Sequence, residues 1–387
     1  MKVLKEKLKT LSIFRELLKD PVLLSLCKYL EKPINSAYAA FVAALYRANG
    51  GNLGEHIKEL CTSSENVYVK MAGSGKAVPN YLQQTLEAEL DVLQEVTELS
   101  REKLQGLMDY TGFLPEFTTT KLRLKDIYLH RVENIRQYGY GIYAKHRMFY
   151  VDENGCIAPV LHPDRTALSD LVDYERQQQM ILENTKALLC GKPAANILLT
   201  GDAGTGKSST VKAVANALWK EGLRIVEVRK DQLRAIPAIL DELSLNPLKF
   251  VLFIDDLAFL KDDDQFNALK AVLEGSVTAK SNNVVIYATG NRRHLIKETF
   301  SDREGDDIHR NDTIQEIMSL SDRFGLHITF SKPNKETYLH IVHHLAEKEG
   351  FSMPAQEMDL LAERFALERG GRSARLARQF VNGLAAR

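Results

Sequence analysis

Gly201-Asp202-Ala203-Gly204-Thr205-Gly206-Lys207-Ser208 fits G-x-x-x-x-G-K-[ST], the spacing of a loop that cradles nucleotide phosphates. The glycines let the backbone turn tightly, so that several N–H groups aim at one anion. Lys207 is long enough to reach β and γ phosphates, and the Ser208 hydroxyl suits Mg²⁺. Gly201, Asp202, Ala203, Gly204, Thr205, Gly206, Lys207, Ser208 and Ser209 are therefore the candidate nucleotide contacts. A second signal is Phe250-Val251-Leu252-Phe253-Ile254-Asp255-Asp256, an apolar run ended by two acids. Ligands of parallel sheets bind beyond the carboxyl ends of the strands. Asp255 is thus expected beside Lys207 and Ser208, holding Mg²⁺ with the serine, and Asp256 is placed to orient and deprotonate an attacking water. Taken alone, two strand-end acids could equally cap the helix that follows.

These residues need a scaffold, and the flanking pattern supplies one. Asn196–Thr200 is a short apolar run that enters the glycine loop and reads as a buried parallel strand. Ser209–Trp219 continues with Val211, Val214, Ala215 and Leu218 at helical spacing. A strand, a glycine loop and a helix N-terminus make an anion site. Further strands are expected near Leu223–Val228, Phe250–Ile254, Val284–Thr289 and Leu326–Phe330, with helices between them. Five such strands predict a parallel sheet covered on both faces. After Pro333 the pattern is purely helical.

Upstream, residues 1–115 read as helices, with Leu11, Phe14, Leu17 and Leu18 at helical spacing and Tyr81–Leu107 repeating apolar residues at steps of three and four. Asn49–Asn52 and Ala72–Gly75 break the pattern as loops. No catalytic signature occurs there, and an interaction domain is the simpler reading. Thr118–Thr120, Leu122–Tyr128, the tyrosines of Tyr138–Tyr143 and Arg147–Val151 suggest a small β element, with Asp152-Glu153-Asn154-Gly155 as a hairpin turn and Cys156–Leu161 as the return strand. The tyrosines beside Lys145, His146 and Arg147 could stack on bases; packing is the commoner use of tyrosine-rich strands. The expected domains are a helical one over 1–118, a β-rich connector over 119–163, an α/β nucleotide-binding domain over 164–331 and a helical lid over 332–387.

The chain of 387 residues has 44% hydrophobic and 26% charged residues with zero formal net charge. This is a globular composition with enough apolar material for sizeable cores. The charge balance argues against a general nucleic-acid coat and leaves a local patch open. Cys27, Cys61, Cys156 and Cys190 are scattered without a C-x-x-C pair, so zinc has no support and reduced cytosolic thiols are the simpler reading. The apolar run Pro21–Cys27 is too short to cross a bilayer and no signal peptide stands out. A cytoplasmic protein without a membrane partner is expected.

Together the motifs resemble those of the AAA+ superfamily of ATPases, over about residues 165–387. The resemblance implies a P-loop three-layer α/β sandwich with a five-stranded parallel sheet and a C-terminal helical lid. Val284–Asn291 looks like the strand ending in the sensor-1 residue, which gives Asn291 a role at the γ-phosphate or its water. Ser319-Leu320-Ser321-Asp322-Arg323-Phe324-Gly325 looks like the arginine-finger segment, which implies that Arg323 completes a neighbouring subunit's site. Its planar charge suits a phosphoryl-transfer transition state. Gly371–Ala377 looks like sensor 2 on a lid helix; Arg375 fits its small-x-Arg-x-apolar spacing best and Arg372 is second. Leu171-Val172-Asp173-Tyr174 sits where the superfamily packs adenine, which puts Val172 against the base. More narrowly, the chain resembles a bacterial AAA+ family catalogued as a domain of unknown function. The matching stretches are Gly201–Ala213, Ile254–Leu257, Asn291-Arg292-Arg293-His294-Leu295 and Asp312-Thr313-Ile314-Gln315-Glu316 leading into Leu320–Gly325, with Tyr174–Gln177 and Asn184-Thr185 upstream. That family implies ATP binding and no established substrate.

Some residues depart from the superfamily pattern. Its second acid is usually glutamate; Asp256 is one methylene shorter, which places the base differently and implies slow hydrolysis without a partner. Initiators and helicase loaders share such an Asp-Asp pair. No aromatic-apolar-glycine pore signature follows the second or third strand, which counts against a threading unfoldase, and Asp262-Asp263-Asp264 would repel a nucleic-acid backbone. Six arginines against Glu368 alone over 364–387 leave nucleic acid open as a partner. The expectation is an ATP- and Mg²⁺-dependent ATPase that remodels a protein or protein–nucleic-acid client, with residues 1–115 selecting the client and with homo-oligomers, hexamers by resemblance. A DNA loader or initiator and a slow nucleotide-gated switch are the alternatives.

Overall fold

The computed structural model describes residues 2–110, 112–257, 264–274, 282–291, 322–351 and 353–385. The segments Arg292–Leu295, Asp312–Glu316 and Ser319–Ser321, together with Asp262, Asp263 and Arg387, lie outside the described residues. The chain divides into two compact units, Met1–Lys145 and His146–Arg387.

The first unit is helical. Its longer helices are Pro21–Glu31, Asn35–Asn49, Leu53–Ser63, Asn80–Thr97 and Leu124–Glu133. Local chemistry sets their ends. Asp20 caps Pro21–Glu31 by accepting from Val22 N and Leu23 N at 2.9 and 3.1 Å, and Pro21 brings a preset helical φ to the first turn. Gly50 ends Asn35–Asn49 in the left-handed conformation, at φ 75°, as αL caps do. Leu23, Leu26, Tyr29, Phe41, Leu45, Leu86, Leu90 and Leu93 share one core. Glu89 is buried within it, and its carboxylate accepts from Ser12 N, Ile13 N and Phe14 N at 2.7, 3.1 and 2.9 Å. A buried charge satisfied in this way is structural.

Residues 119–163 differ from the β-rich connector expected of them. Leu124–Glu133, Ile135–Tyr138 and Ile142–Lys145 are helical. Leu124 and Tyr128, one helical turn apart, are buried in the first unit's core with Ile135, and that amphipathic period outweighs the strand preference of the tyrosines. Tyr140 and Tyr143 are buried as well, so both pack. Only Met148–Val151 (β1) and Ile157–Pro159 (β2) form a hairpin. Its turn closes through Asp152 Oδ1, which accepts from Asn154 N and Cys156 N, both at 2.9 Å.

That hairpin belongs to the second unit's sheet. The other strands are Ile197–Gly201 (β3), Leu223–Glu227 (β4), Lys249–Leu257 (β5), Val284–Gly290 (β6) and Leu326–Phe330 (β7), and the order is β2-β1-β4-β5-β6-β3-β7. Among the described residues the expected five-stranded sheet is therefore corrected to seven strands. β3 to β7 are the five parallel strands foreseen; β1 joins β4 in parallel and β2 pairs with β1 antiparallel. The physical reason is the edge: without β1, β4 would present a row of unpaired N–H and C=O groups.

Side chains alternate across the strands. Ile197, Leu199, Val251, Phe253 and Tyr287 meet Val211, Val214 and Leu218 of helix Lys207–Leu218 and Ile181 and Leu188 of helix Glu175–Leu189 in one core. Leu198, Phe250, Leu252, Ile254 and Ile286, on the other face, are buried too, as an apolar sheet covered on both sides requires. After β7, helices Lys335–Lys348, Ala355–Glu368 and Ala374–Ala385 pack on Tyr338, Val342, Ala362 and Ala377 as a C-terminal helical module with its own core.

Candidate functional site

β3 lies between β6 and β7. The chain winds from β3 outward to β4 and returns through β5 and β6, then places β7 on the opposite side. The loop after β3 thus leaves the sheet where the winding reverses, the position at which open α/β sheets bind ligands. Residues 201–206 form that loop and Lys207 opens the following helix. Gly201, Gly204 and Gly206 stand at φ 155°, 77° and 93°, in regions that side chains rarely tolerate.

A cleft of about 540 Å³ opens over the loop. Ala203, Gly204, Thr205, Gly206, Lys207, Ser208 and Ser209 line it, together with Asp255, Asp256, Asn291, Val172 and Arg375. Gly201 sits beneath as the last residue of β3, and Asp202 contributes its backbone: Lys207 Nζ donates to Gly201 O and Asp202 O at 3.0 and 2.8 Å. Burial lowers the pKa of the Lys207 ammonium, with Asp255 nearby opposing the shift. Partial burial of a cation on carbonyls is tolerable only where an anion or acid offsets it.

Ser208 Oγ donates to Asp255 Oδ1 at 2.6 Å. This bond joins the two motifs read from the sequence, one at the end of β3 and the other at the end of β5. A hydroxyl and a carboxylate side by side are oxygen donors of the kind a hard cation takes, so the residues fit Mg²⁺. Asp256 stands at φ 55°, where β5 slips against β6: Ile254 pairs with Ala288, and Leu257 with Gly290.

The segment before helix Glu175–Leu189 is held in an unusual conformation. Asp173 and Tyr174 have φ 64° and 66°. Gln178 Nε2 donates to Leu171 O and Asp173 O, both at 2.9 Å, and Tyr174 OH donates to Ser331 O at 2.6 Å. The turn carries Val172 to the cleft, where it packs against the core of the C-terminal module that includes Ile341 and Leu345. Lys348 pairs with Asp170 from the same helix.

The two candidate lid arginines part company. Arg372 is engaged in a bidentate pair with Glu363, at 2.8 and 2.7 Å, and the pair holds the Glu363 carboxyl below its ordinary range. Arg375 lines the cleft, and its backbone N–H donates to Gly204 O at 3.3 Å, tying helix Ala374–Ala385 to the loop. Arg323 lies away from the cleft and pairs with Glu274. Sequence reasoning passed over Thr289, Arg378 and the apolar pair Ile341 and Leu345, all of which line the cleft. Arg378 follows Arg375 by one helical turn, a spacing that puts both on one face. Thr289 is a hydroxyl inside an apolar strand, and a buried polar atom needs a partner.

A glycine loop at the switch point of five parallel strands, an acid pair at the end of the third and a helical module lining the cleft make up an α/β fold of the P-loop type. The chain belongs to the family described as protein of unknown function (DUF815), whose model matches residues 144–387. No curated protein matches the chain. Among solved structures it is similar to the Thermotoga maritima RuvB Holliday junction branch migration motor, with 16% identity and a TM-score of 0.39, over 57% of this chain and 64% of that one. A single-residue variant of that RuvB gives 15% identity and a TM-score of 0.38 over the same shares. No described helix is long and apolar enough to cross a membrane.

Proposed function

We propose that this chain binds ATP in the cleft and hydrolyses it with Mg²⁺ to remodel a protein or protein–nucleic-acid client. The observation that supports this most is the 2.6 Å bond between Ser208 and Asp255, which brings both motifs to one point. In this reading Lys207 and the amides of residues 203–209 hold the phosphates. Val172, Ile341 and Leu345 enclose the base. Ser208 and Asp255 hold the cation, which when bound neutralises phosphate charge. Asp256 orients water and accepts its proton as the water oxygen bonds to the γ-phosphorus and the bridging oxygen leaves with ADP. Asn291 and Arg375 sense the γ-phosphate. Arg323 acts on a neighbouring subunit's site, which requires its release from Glu274. Residues 332–387 serve as a lid hinged at Ser331-Lys332-Pro333, and the N-terminal unit chooses the client.

Asp256→Asn is expected to lower ATP turnover by about 100-fold, the ordinary contribution of a general base, while ATP binding persists. Calorimetry that detects no uptake of ATP or ADP by the wild-type chain would remove the proposal. The lid arginines give a second expectation. Arg375→Ala is expected to abolish the difference between ATP and ADP in protecting the helical module from proteolysis. Arg372→Ala instead leaves Glu363 without its partner and lowers thermal stability with or without nucleotide. Loss of the ATP–ADP difference in Arg372→Ala, with Arg375→Ala normal, would reverse the assignment.

A further inference from the structure

Thr289 is a hydroxyl 2% exposed on an otherwise apolar strand, and none of the motifs gives it a task. It faces the slip between β5 and β6. Three steps along β5, from Ile254 to Leu257, match two along β6, from Ala288 to Gly290. Such a bulge takes an extra residue out of the ladder and leaves a backbone group to be satisfied by other means. Here the side chain of Thr289 does so: Asp256 N donates to Thr289 Oγ1 at 2.9 Å. The one proton of that hydroxyl then goes to Asp255 Oδ1 at 2.6 Å, the same oxygen that receives the Ser208 hydroxyl. A single buried hydroxyl therefore contacts both acids at once. It accepts from the backbone of Asp256, which is held in the left-handed region at φ 55°, and it donates to the carboxylate of Asp255. Left-handed backbone on a non-glycine residue persists only where the surroundings hold it.

We infer that Thr289 is a positioning residue for the acid pair. Its hydroxyl locks the left-handed turn that aims Asp256 and holds the Asp255 carboxylate against Ser208. The inference rests on the ATPase reading above. Because Thr289 acts through the acids, its loss reaches kcat and the Mg²⁺ requirement and leaves the grip of the loop on the phosphates alone.

The test compares Thr289→Val, which keeps the shape and removes the hydroxyl, with Thr289→Ser, which keeps the hydroxyl. The readouts on the full chain are ATP turnover, its dependence on Mg²⁺, ADP affinity without Mg²⁺, and exchange of the Asp256 amide hydrogen. The valine variant is expected to lose about tenfold or more in kcat, to need more Mg²⁺, to bind ADP unchanged and to exchange the Asp256 amide faster; the serine variant is expected to match wild type on all four. Should the valine variant not fold, Thr289→Ala is read in its place. Wild-type turnover with an unimpaired hydroxyl-free variant overturns the inference alone, as does a serine variant as impaired as valine, which would make the methyl group and its packing the cause. A wild type that neither binds nor hydrolyses ATP overturns the ATPase reading and the inference together.

Discussion

Lys207→Ala is expected to weaken ATP and ADP binding by about 100-fold or more, with the fold intact. A hydrogen bond from a charged donor contributes about 1.5–3 kcal/mol, and the Coulomb attraction of an ammonium to a triphosphate in a half-buried cleft adds to it. Nζ is held at the loop by Gly201 O and Asp202 O, so the side chain needs only a small shift to exchange carbonyls for phosphate oxygens. The scaffold does not depend on it. Val211, Val214 and Leu218, which anchor the helix that Lys207 opens, remain buried in the sheet core. The thermal midpoint should therefore change little while calorimetric titration with ATP loses its signal. Wild-type affinity in this variant would remove residues 201–208 as the phosphate site.

Gly201→Ala is expected to be the most damaging methyl at any described glycine of the second unit. A Cβ on Gly201 would stand 2.1 Å from Phe330 O and 3.1 Å from Phe330 Cβ. The obstacle is backbone carbonyl in the paired strand β7, where Gly201 and Phe330 are in register, so no side-chain rotation relieves it. The glycine also stands at φ 155°, a conformation essentially restricted to residues without a Cβ. Steric exclusion and backbone strain together are expected to cost about 3–5 kcal/mol, the upper range for single substitutions. For a unit of this size that lowers Tm by about 10 °C. Nucleotide affinity should fall as well, since the loop leaves β3 at this residue. Thermal unfolding within about 2 °C of wild type would show that β3 and β7 can separate locally at no cost.

Much of the site could be read from residue order because its parts are local. The spacing of Gly201, Gly206, Lys207 and Ser208 requires a strand, a tight turn and a helix within one short stretch, and the chain forms them. The strands β3 to β7 follow from short apolar runs, and their predicted places agree with the structure to within a few residues. Where a feature depended on distant partners, residue order was silent. The tyrosine-rich stretch before Lys145 carries strand-forming residues, yet Leu124 and Tyr128 find a helical core to fill. The hairpin of Met148–Val151 and Ile157–Pro159 was legible through its Asp-Glu-Asn-Gly turn, whereas its place beside β4 was not, since any strand edge could receive it. Arg372 and Arg375 are equally basic and three residues apart; only the position of Glu363 shows which guanidinium is already taken.

By itself, the order of residues determined that this chain carries a glycine loop between a strand and a helix, and an acid pair at a strand end, because glycine freedom and apolar runs are properties of short segments. Tertiary structure decided that Asp256 sits in a bulge opposite Thr289 and that Glu363 takes up Arg372, and it brought Ser208 and Asp255, neighbours already expected from the motifs, into one hydrogen bond. Those outcomes depend on contacts between segments far apart in the chain; for Asp255 and Thr289 a strand pairing shifted by one residue would turn the side chain to the other face of the sheet.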